Sequence, residues 1–193
     1  MTVMIAKLIW AIGCAAACLI RLAYQRRFRK TLIVRSDRTY ERISIAIALC
    51  GLFVIPLIYA TTGQPAFASY ELRPSLVYCG VAVFAAALWL LYCAHRDLGH
   101  FWSAKLRIRN DHALVTHGVY SRLRHPMYAA FWLWALAQAL LLPNLVAGPA
   151  GLIGFGALFI LRVGREEKLM LDTFGDNYRS YIARTKRIIP GVY

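Results

Sequence analysis

Apolar residues along this chain come in long blocks, with neither the alternation of a half-buried strand nor the narrow stripe of a soluble helix. The blocks cover residues 3–20, 43–59, 75–94, 127–142 and 145–161. A helix needs roughly 17–25 such residues to cross a hydrocarbon core. The pattern therefore predicts an all-α, polytopic membrane bundle of about five transmembrane helices. Lys7 interrupts the first block and Pro56 lies inside the second. A neighbouring helix can satisfy the carbonyl that a membrane proline frees. Pro143-Asn144 predicts a tight turn between the last two helices. A cleaved signal peptide would also start with an apolar run. This one is long, lacks a cleavage site and is followed by Arg21, Arg26, Arg27, Arg29 and Lys30, the mark of a retained cytoplasmic flank.

Composition strengthens this picture. The 193 residues are 60% hydrophobic and 17% charged, against roughly 45–50% and about 25% in soluble proteins. An ordinary soluble domain and a disordered chain are both excluded. Lys and Arg number 23 and Asp and Glu 9, for a net charge of +14. Eight of the basic residues fall in 21–42, six in 95–125 and seven beyond Leu161, leaving only Lys7 and Arg73 elsewhere. Basic residues mark cytoplasmic segments, so the N-terminus is expected outside and the tail in the cytosol. This reading of the charge leaves no reason to invoke nucleic acid. The five cysteines are scattered through apolar runs without C-x-x-C spacing. They form neither a disulfide framework nor a zinc site.

The unusual chemistry gathers in residues 95–125 and 162–187. All five histidines lie in the first of these. No pair has the i, i+4 spacing of a metal-binding helix, so no metal is expected. His95, His100 and His117 read as solvated loop histidines. Pro126 opens a helix, where its missing N–H costs nothing, and it sets Arg124, His125 and Tyr128 at that helix's cytoplasmic mouth. Gly118 permits a close backbone approach. Farther on, Arg162 and Glu166 share one helix face, while Glu167 is expected to point elsewhere. Carboxylates at a membrane boundary are costly without partners or a task. Leu169, Met170, Phe174, Tyr178, Tyr181 and Ile182 recur at helical spacing. They predict an amphipathic helix over 168–187 lying on the membrane surface, with Lys and Arg toward anionic lipid headgroups.

The two stretches together carry a specific pattern. G-V-Y-x-x-x-R-H-P-M-Y from Gly118 to Tyr128 is followed, in order, by R-x-x-x-E-E from Arg162, F-G-x-x-Y-x-x-Y from Phe174 and R-x-x-P from Arg187. With L-G-x-x-W-S at Leu98 to Ser103, this resembles the isoprenylcysteine carboxyl methyltransferase family, over about the last hundred residues. The small size resembles that of short prokaryotic members. The first three apolar blocks match only in hydrophobic character.

The resemblance implies an integral-membrane enzyme that uses S-adenosyl-L-methionine, with the chain as one membrane domain. Residues 1–94 would supply three spans and a basic loop. Residues 95–193 would supply the catalytic region. It implies cofactor contacts from His112, Ala113, Leu114 and Val115, from Tyr120, from His125, Pro126, Met127 and Tyr128, and from Glu166. Arg162 would face the substrate carboxylate, and Arg162 and Glu166 together would be the catalytic pair. Met127 stands where eukaryotic members often have a small polar residue. The acceptor implied is a lipophilic carboxylate, such as an S-prenylcysteine, entering from the bilayer to a site that faces the cytosol. The membrane would be a prokaryotic inner membrane or a eukaryotic endoplasmic reticulum.

Other classes fit less well. A phospholipid amine N-methyltransferase would not want Arg162 beside its acceptor. A sterol-type reductase would need a nicotinamide cofactor. A small transporter or scaffold would place ionisable residues at mid-span, where this chain has almost none.

Overall fold

The computed structural model describes residues 2–27, 38–99 and 114–192. Its helices are α1 (Thr2–Arg27), α2 (Arg38–Leu49), α3 (Ile55–Thr62), α4 (Pro74–Leu98), α5 (Pro126–Leu141), α6 (Ala147–Phe174) and α7 (Asp176–Arg184). The all-α membrane architecture is as expected. The count of spanning helices is not. Helices long and apolar enough to cross number four among the described residues: 2–25, 42–62, 74–98 and 147–174. The fourth expected span is α5, which has only 16 residues and so rises about 24 Å, short of the roughly 30 Å of a bilayer core. Pro126 starts α5 and Pro143 follows its end, so both boundaries are fixed by residues that cannot continue a helix.

The rods alternate in direction. At one end Lys7 Nζ donates to Tyr59 O at 3.1 Å, and Tyr59 Oη to Pro143 O at 3.3 Å. The Leu145 N–H donates to Ala68 O there, at 2.9 Å. At the other end Tyr24 packs on His95 with centroids 5.4 Å apart, and the Val119 N–H donates to Asp97 Oδ2 at 2.9 Å. The described residues on either side of Tyr24, His95, Asp97 and Val119 thus border one end of the bundle. His95 itself is not a solvated loop histidine. It is fully buried at the end of α4, with Nδ1 2.8 Å from Leu91 O, because α4 runs three residues past it. His117 is exposed as expected, and His100 lies outside the described residues.

Pro56 is accommodated by a π-helical turn, Cys50–Val54, that joins α2 to α3. The expected help from a neighbour comes from Gln138 of α5. Its buried Nε2 donates to Gly51 O at 3.1 Å and to Ala147 O at 2.9 Å. One polar side chain thereby ties three helices in the apolar interior, where no water could serve. Beside it α2 and α6 touch backbone to backbone. A Cβ on Gly154 would stand 2.8 Å from Ile47 O, and one on Gly51 would collide with Ala150 O. Small residues allow such approach in membranes, where packing replaces the hydrophobic effect as the force between helices.

The Pro143-Asn144 turn forms as expected. Asn144 Oδ1 accepts the N–H groups of Val146 and Ala147 at 3.0 and 2.9 Å, satisfying donors that the start of α6 would otherwise leave open. At 28 residues α6 rises about 42 Å. It outruns the hydrocarbon and carries residues 162–174 toward the basic end.

Candidate active site

The tail folds back on the segment that opens α5. After α6 the chain turns at Gly175, with φ +51°, into the short α7. The expected surface helix over 168–187 is therefore two pieces. Residues 168–174 continue α6, and the aromatic face of α7 packs on protein. Tyr178 and Tyr181 are each 2% exposed. Tyr181 Oη donates to Tyr120 O at 2.6 Å and to Leu123 O at 3.3 Å. A phenol that reaches two backbone carbonyls is better satisfied there than at a lipid surface.

Beyond α7 the strand-like residues 186–187 lie alongside 122–125. The Arg124 N–H donates to Lys186 O at 2.7 Å, and the His125 N–H to Arg187 O at 2.9 Å. The Arg124 guanidinium donates to the carbonyls of Ile182 and Thr185, the last acceptors of α7. A cation is well placed at a helix C-terminus.

Glu167 points away from the Arg162–Glu166 face, as expected, and there it is the hub of this assembly. It accepts from Arg124 Nε at 3.1 Å, from Arg187 Nε at 3.1 Å and from Arg187 Nη2 at 2.7 Å. His125 Nε2 lies 3.4 Å from its Oε1. Glu167 is 7% exposed. It continues an inward stripe with Phe155, Phe159 and Val163, each also buried, at a spacing of four. That spacing was the available signal. The other partners sit inside the motifs themselves, Arg124 beside H-P and Arg187 in R-x-x-P.

Glu166 lies on the neighbouring face, where Arg162 Nε donates to its Oε1 at 2.8 Å. His125 joins the two carboxylates. Its Nδ1 is 3.7 Å from Glu166 Oε2 while Nε2 faces Glu167. The ring also stacks on Tyr128, with centroids 5.4 Å apart and planes 18° apart. Tyr128 meets Phe155 and Phe159 edge-on at 5.9 and 5.6 Å. The imidazole is therefore held by its backbone N–H, by a stacked ring and by carboxylates on both nitrogens.

The structure thus brings together four expected residues: His125, Tyr128, Arg162 and Glu166. Pro126 begins α5 and is buried, and Met127 is half-buried beside it. Val115 is buried and Leu114 half-buried. His112 and Ala113 lie outside the described residues. Tyr120 is buried. Its hydroxyl donates to Ala94 O at 3.4 Å, and its carbonyl receives Tyr181. Burial pushes the Tyr120 phenol well above the ordinary tyrosine range, and the neighbouring Tyr181, Asp97 and Glu166 push it further. Gly118 takes φ +59°, and a Cβ there would strike the Asp97 carboxylate. This is the close approach its glycine permits.

A carboxylate paired with a guanidinium, an imidazole and an aromatic wall, all at the end of an apolar bundle, can bind a ligand that carries both charge and grease. Part of the chain is similar to known proteins. The isoprenylcysteine carboxyl methyltransferase (ICMT) family model matches residues 78–172. The protein-S-isoprenylcysteine O-methyltransferase of Schizosaccharomyces pombe is 38% identical over 98 residues, 50% of this chain and 40% of that protein. The one from Dictyostelium discoideum is 35% identical over 89 residues, 44% of this chain and 36% of that protein. The matched stretch covers less than half the length of either relative. A solved structure of the eukaryotic intramembrane Ras methyltransferase ICMT superposes with a TM-score of 0.54 at 23% identity, covering 83% of this chain and 55% of that one. That likeness shows a shared fold. The family resemblance carried by the motifs is shown over residues 78–172.

Proposed function

We propose, with the ICMT-family likeness of residues 78–172 as premise, that this protein is a membrane methyltransferase acting on the carboxylate of a lipophilic acceptor, such as an S-prenylcysteine. S-adenosyl-L-methionine is the donor in this reading. The observation that carries it is the Arg162–Glu166 pair, 2.8 Å apart, beside His125 where α6 leaves the apolar bundle. The basic end of the bundle is taken as cytosolic by the positive-inside rule. A water-soluble donor then reaches the site from the loops, and the acceptor's chain stays in lipid.

The side chains suit both ligands. Glu166 offers a carboxylate to the donor's ammonium, and Leu114 and Val115 offer it apolar surface. Tyr128 presents a ring to its sulfonium. When bound, the donor supplies a methyl carbon on positively charged sulfur, which leaves as a neutral thioether once a carboxylate oxygen takes the methyl. No proton moves. The acceptor carboxyl has a reference pKa near 3.5 and is already ionised at neutral pH, so a general base is unnecessary.

Arg162 docks the carboxylate, for which a guanidinium fork is suited. It must not hold the ground state too tightly, because negative charge disappears in the transition state. Its bond to Glu166 tempers it, since one carboxylate already draws on the fork.

The test is turnover of detergent-solubilised protein with a methyl-labelled donor and a panel of prenylcysteines and other amphiphilic acids. Label in a base-labile ester is the expected result. Label in a base-stable product on an amine headgroup, or none in any acid, overturns the reading.

A further inference from the structure

The inward seam of α1 is drawn by Trp10, Cys14 and Ala17, all buried and spaced four and three apart. The next places on that seam are Arg21 and Tyr24. A guanidinium thus occupies a position that helical periodicity assigns to the core. Arg21 Cζ lies 5.2 Å from the centroid of the Phe131 ring on α5. Phe131 stacks on Phe155 of α6 at 5.3 Å. Phe155 meets Tyr128, and Tyr128 stacks on His125. Three ring contacts therefore lead from Arg21 to the imidazole between Glu166 and Glu167. Arg162 lies seven residues beyond Phe155 on α6, about two turns along the same face, and pairs with the Glu166 that faces His125.

Two cations from different helices, converging on one region of low dielectric, raise its potential for an anion arriving from the bilayer. A carboxylate has two oxygens and accepts from two guanidiniums at once. Resting on the function proposed above, we infer that Arg21 is a second substrate-binding guanidinium, which docks the acceptor carboxylate together with Arg162 while the Phe131 ring steadies its fork. The acceptor site is then completed by α1, which lies outside the family-matched residues 78–172. Since negative charge is lost on reaching the transition state, Arg21 stabilises the bound acid more than the transition state. Its loss should therefore appear in KM and spare kcat.

The experiment compares wild type, Arg21→Ala and Arg21→Lys with an N-acetylated S-prenylcysteine as acceptor and its carboxamide as competitive inhibitor. Binding of S-adenosylhomocysteine is the control for folding. The expected result is a KM raised by about tenfold or more in Arg21→Ala, with kcat, carboxamide inhibition and S-adenosylhomocysteine affinity unchanged. Arg21→Lys keeps the charge and loses the fork, so its KM rises less. It decides the matter if the alanine variant is not recovered folded. A wild type that turns over while both variants match its KM overturns the place of Arg21 alone. So does carboxamide inhibition that weakens as much as acid binding. A wild type that methylates no acid overturns the functional reading and this inference with it.

Discussion

Glu167 and Arg187 are twenty residues apart in the chain and are joined by a two-pronged ion pair, with Nη2 2.7 Å from Oε2 and Nε 3.1 Å from Oε1. Through it α6 holds the returning tail, and the tail holds the backbone of His125. Removing one partner of such a pair leaves a desolvated charge uncompensated.

Glu167→Ala should lower stability by about 3 kcal/mol and should weaken cofactor binding through displacement of His125. Arg187→Ala should do less, because the carboxylate left behind still accepts from Arg124 Nε. Thermal unfolding in detergent checks both. Equal melting of Glu167→Ala and wild type would remove the carboxylate from its place as hub.

Arg162→Ala and Glu166→Ala should each abolish methyl transfer and leave the fold intact. The i, i+4 ion pair between them is part-exposed and is worth under about 1 kcal/mol. The two should differ in kind, with Glu166→Ala weakening S-adenosylhomocysteine binding and Arg162→Ala sparing it. Lys168→Ala, on an exposed position of the same helix, should be mild. Near-normal turnover in the first two, or a collapse in the third, would show that the site lies elsewhere.

Gly118→Ala should destabilise the 118–125 segment. The left-handed conformation costs a residue with a Cβ about 1–2 kcal/mol, and the new methyl strikes the Asp97 carboxylate. A variant as stable as wild type, by unfolding and by limited proteolysis of the loop, would contradict this geometry.

An alkaline limit follows from the tyrosines that seat α7. Burial raises the Tyr181 phenol to about 12 and moves Tyr120 and Tyr178 in the same direction. A phenol whose pKa is raised by folding stabilises the native state below its unfolded value, near 10. That stabilisation is lost as pH climbs through the folded value. Phenolate absorbance should therefore show these tyrosines ionising late, together with release of α7. A single early wave, with S-adenosylhomocysteine affinity intact at pH 11, would refute the docking.

Much of this was written in the chain. The apolar blocks placed the helix starts to within about five residues, since in lipid an unbroken apolar run has few alternatives to a helix, while α1 and α6 run 7 and 13 residues past the ends of their blocks at residues 20 and 161. The motif pair foretold that 118–128 and 162–166 would meet. Periodicity read locally was less reliable. Measured from Arg162, Glu167 only pointed elsewhere, and the place it points to is set by its alignment with Phe155, Phe159 and Val163. Tyr178 and Tyr181 had the spacing of a lipid-facing stripe, but what they meet is protein, because a tail that doubles back is not visible in a helical pattern. The brevity of α5 was legible, since its apolar block, 127–142, has 16 residues, as the helix does.

The Gly51–Gly154 contact and the Gln138 amide bear on how far the matched region can be taken as a unit. Its helix α6 leans without side chains on α2, and its α5 donates hydrogen bonds into the turn before α3. Excised from residues 1–70, that half would present a bare glycine groove to lipid, and its Gln138 amide would lose the bond to Gly51. The N-terminal rods therefore serve as a splint, and a minimal working fragment must include them.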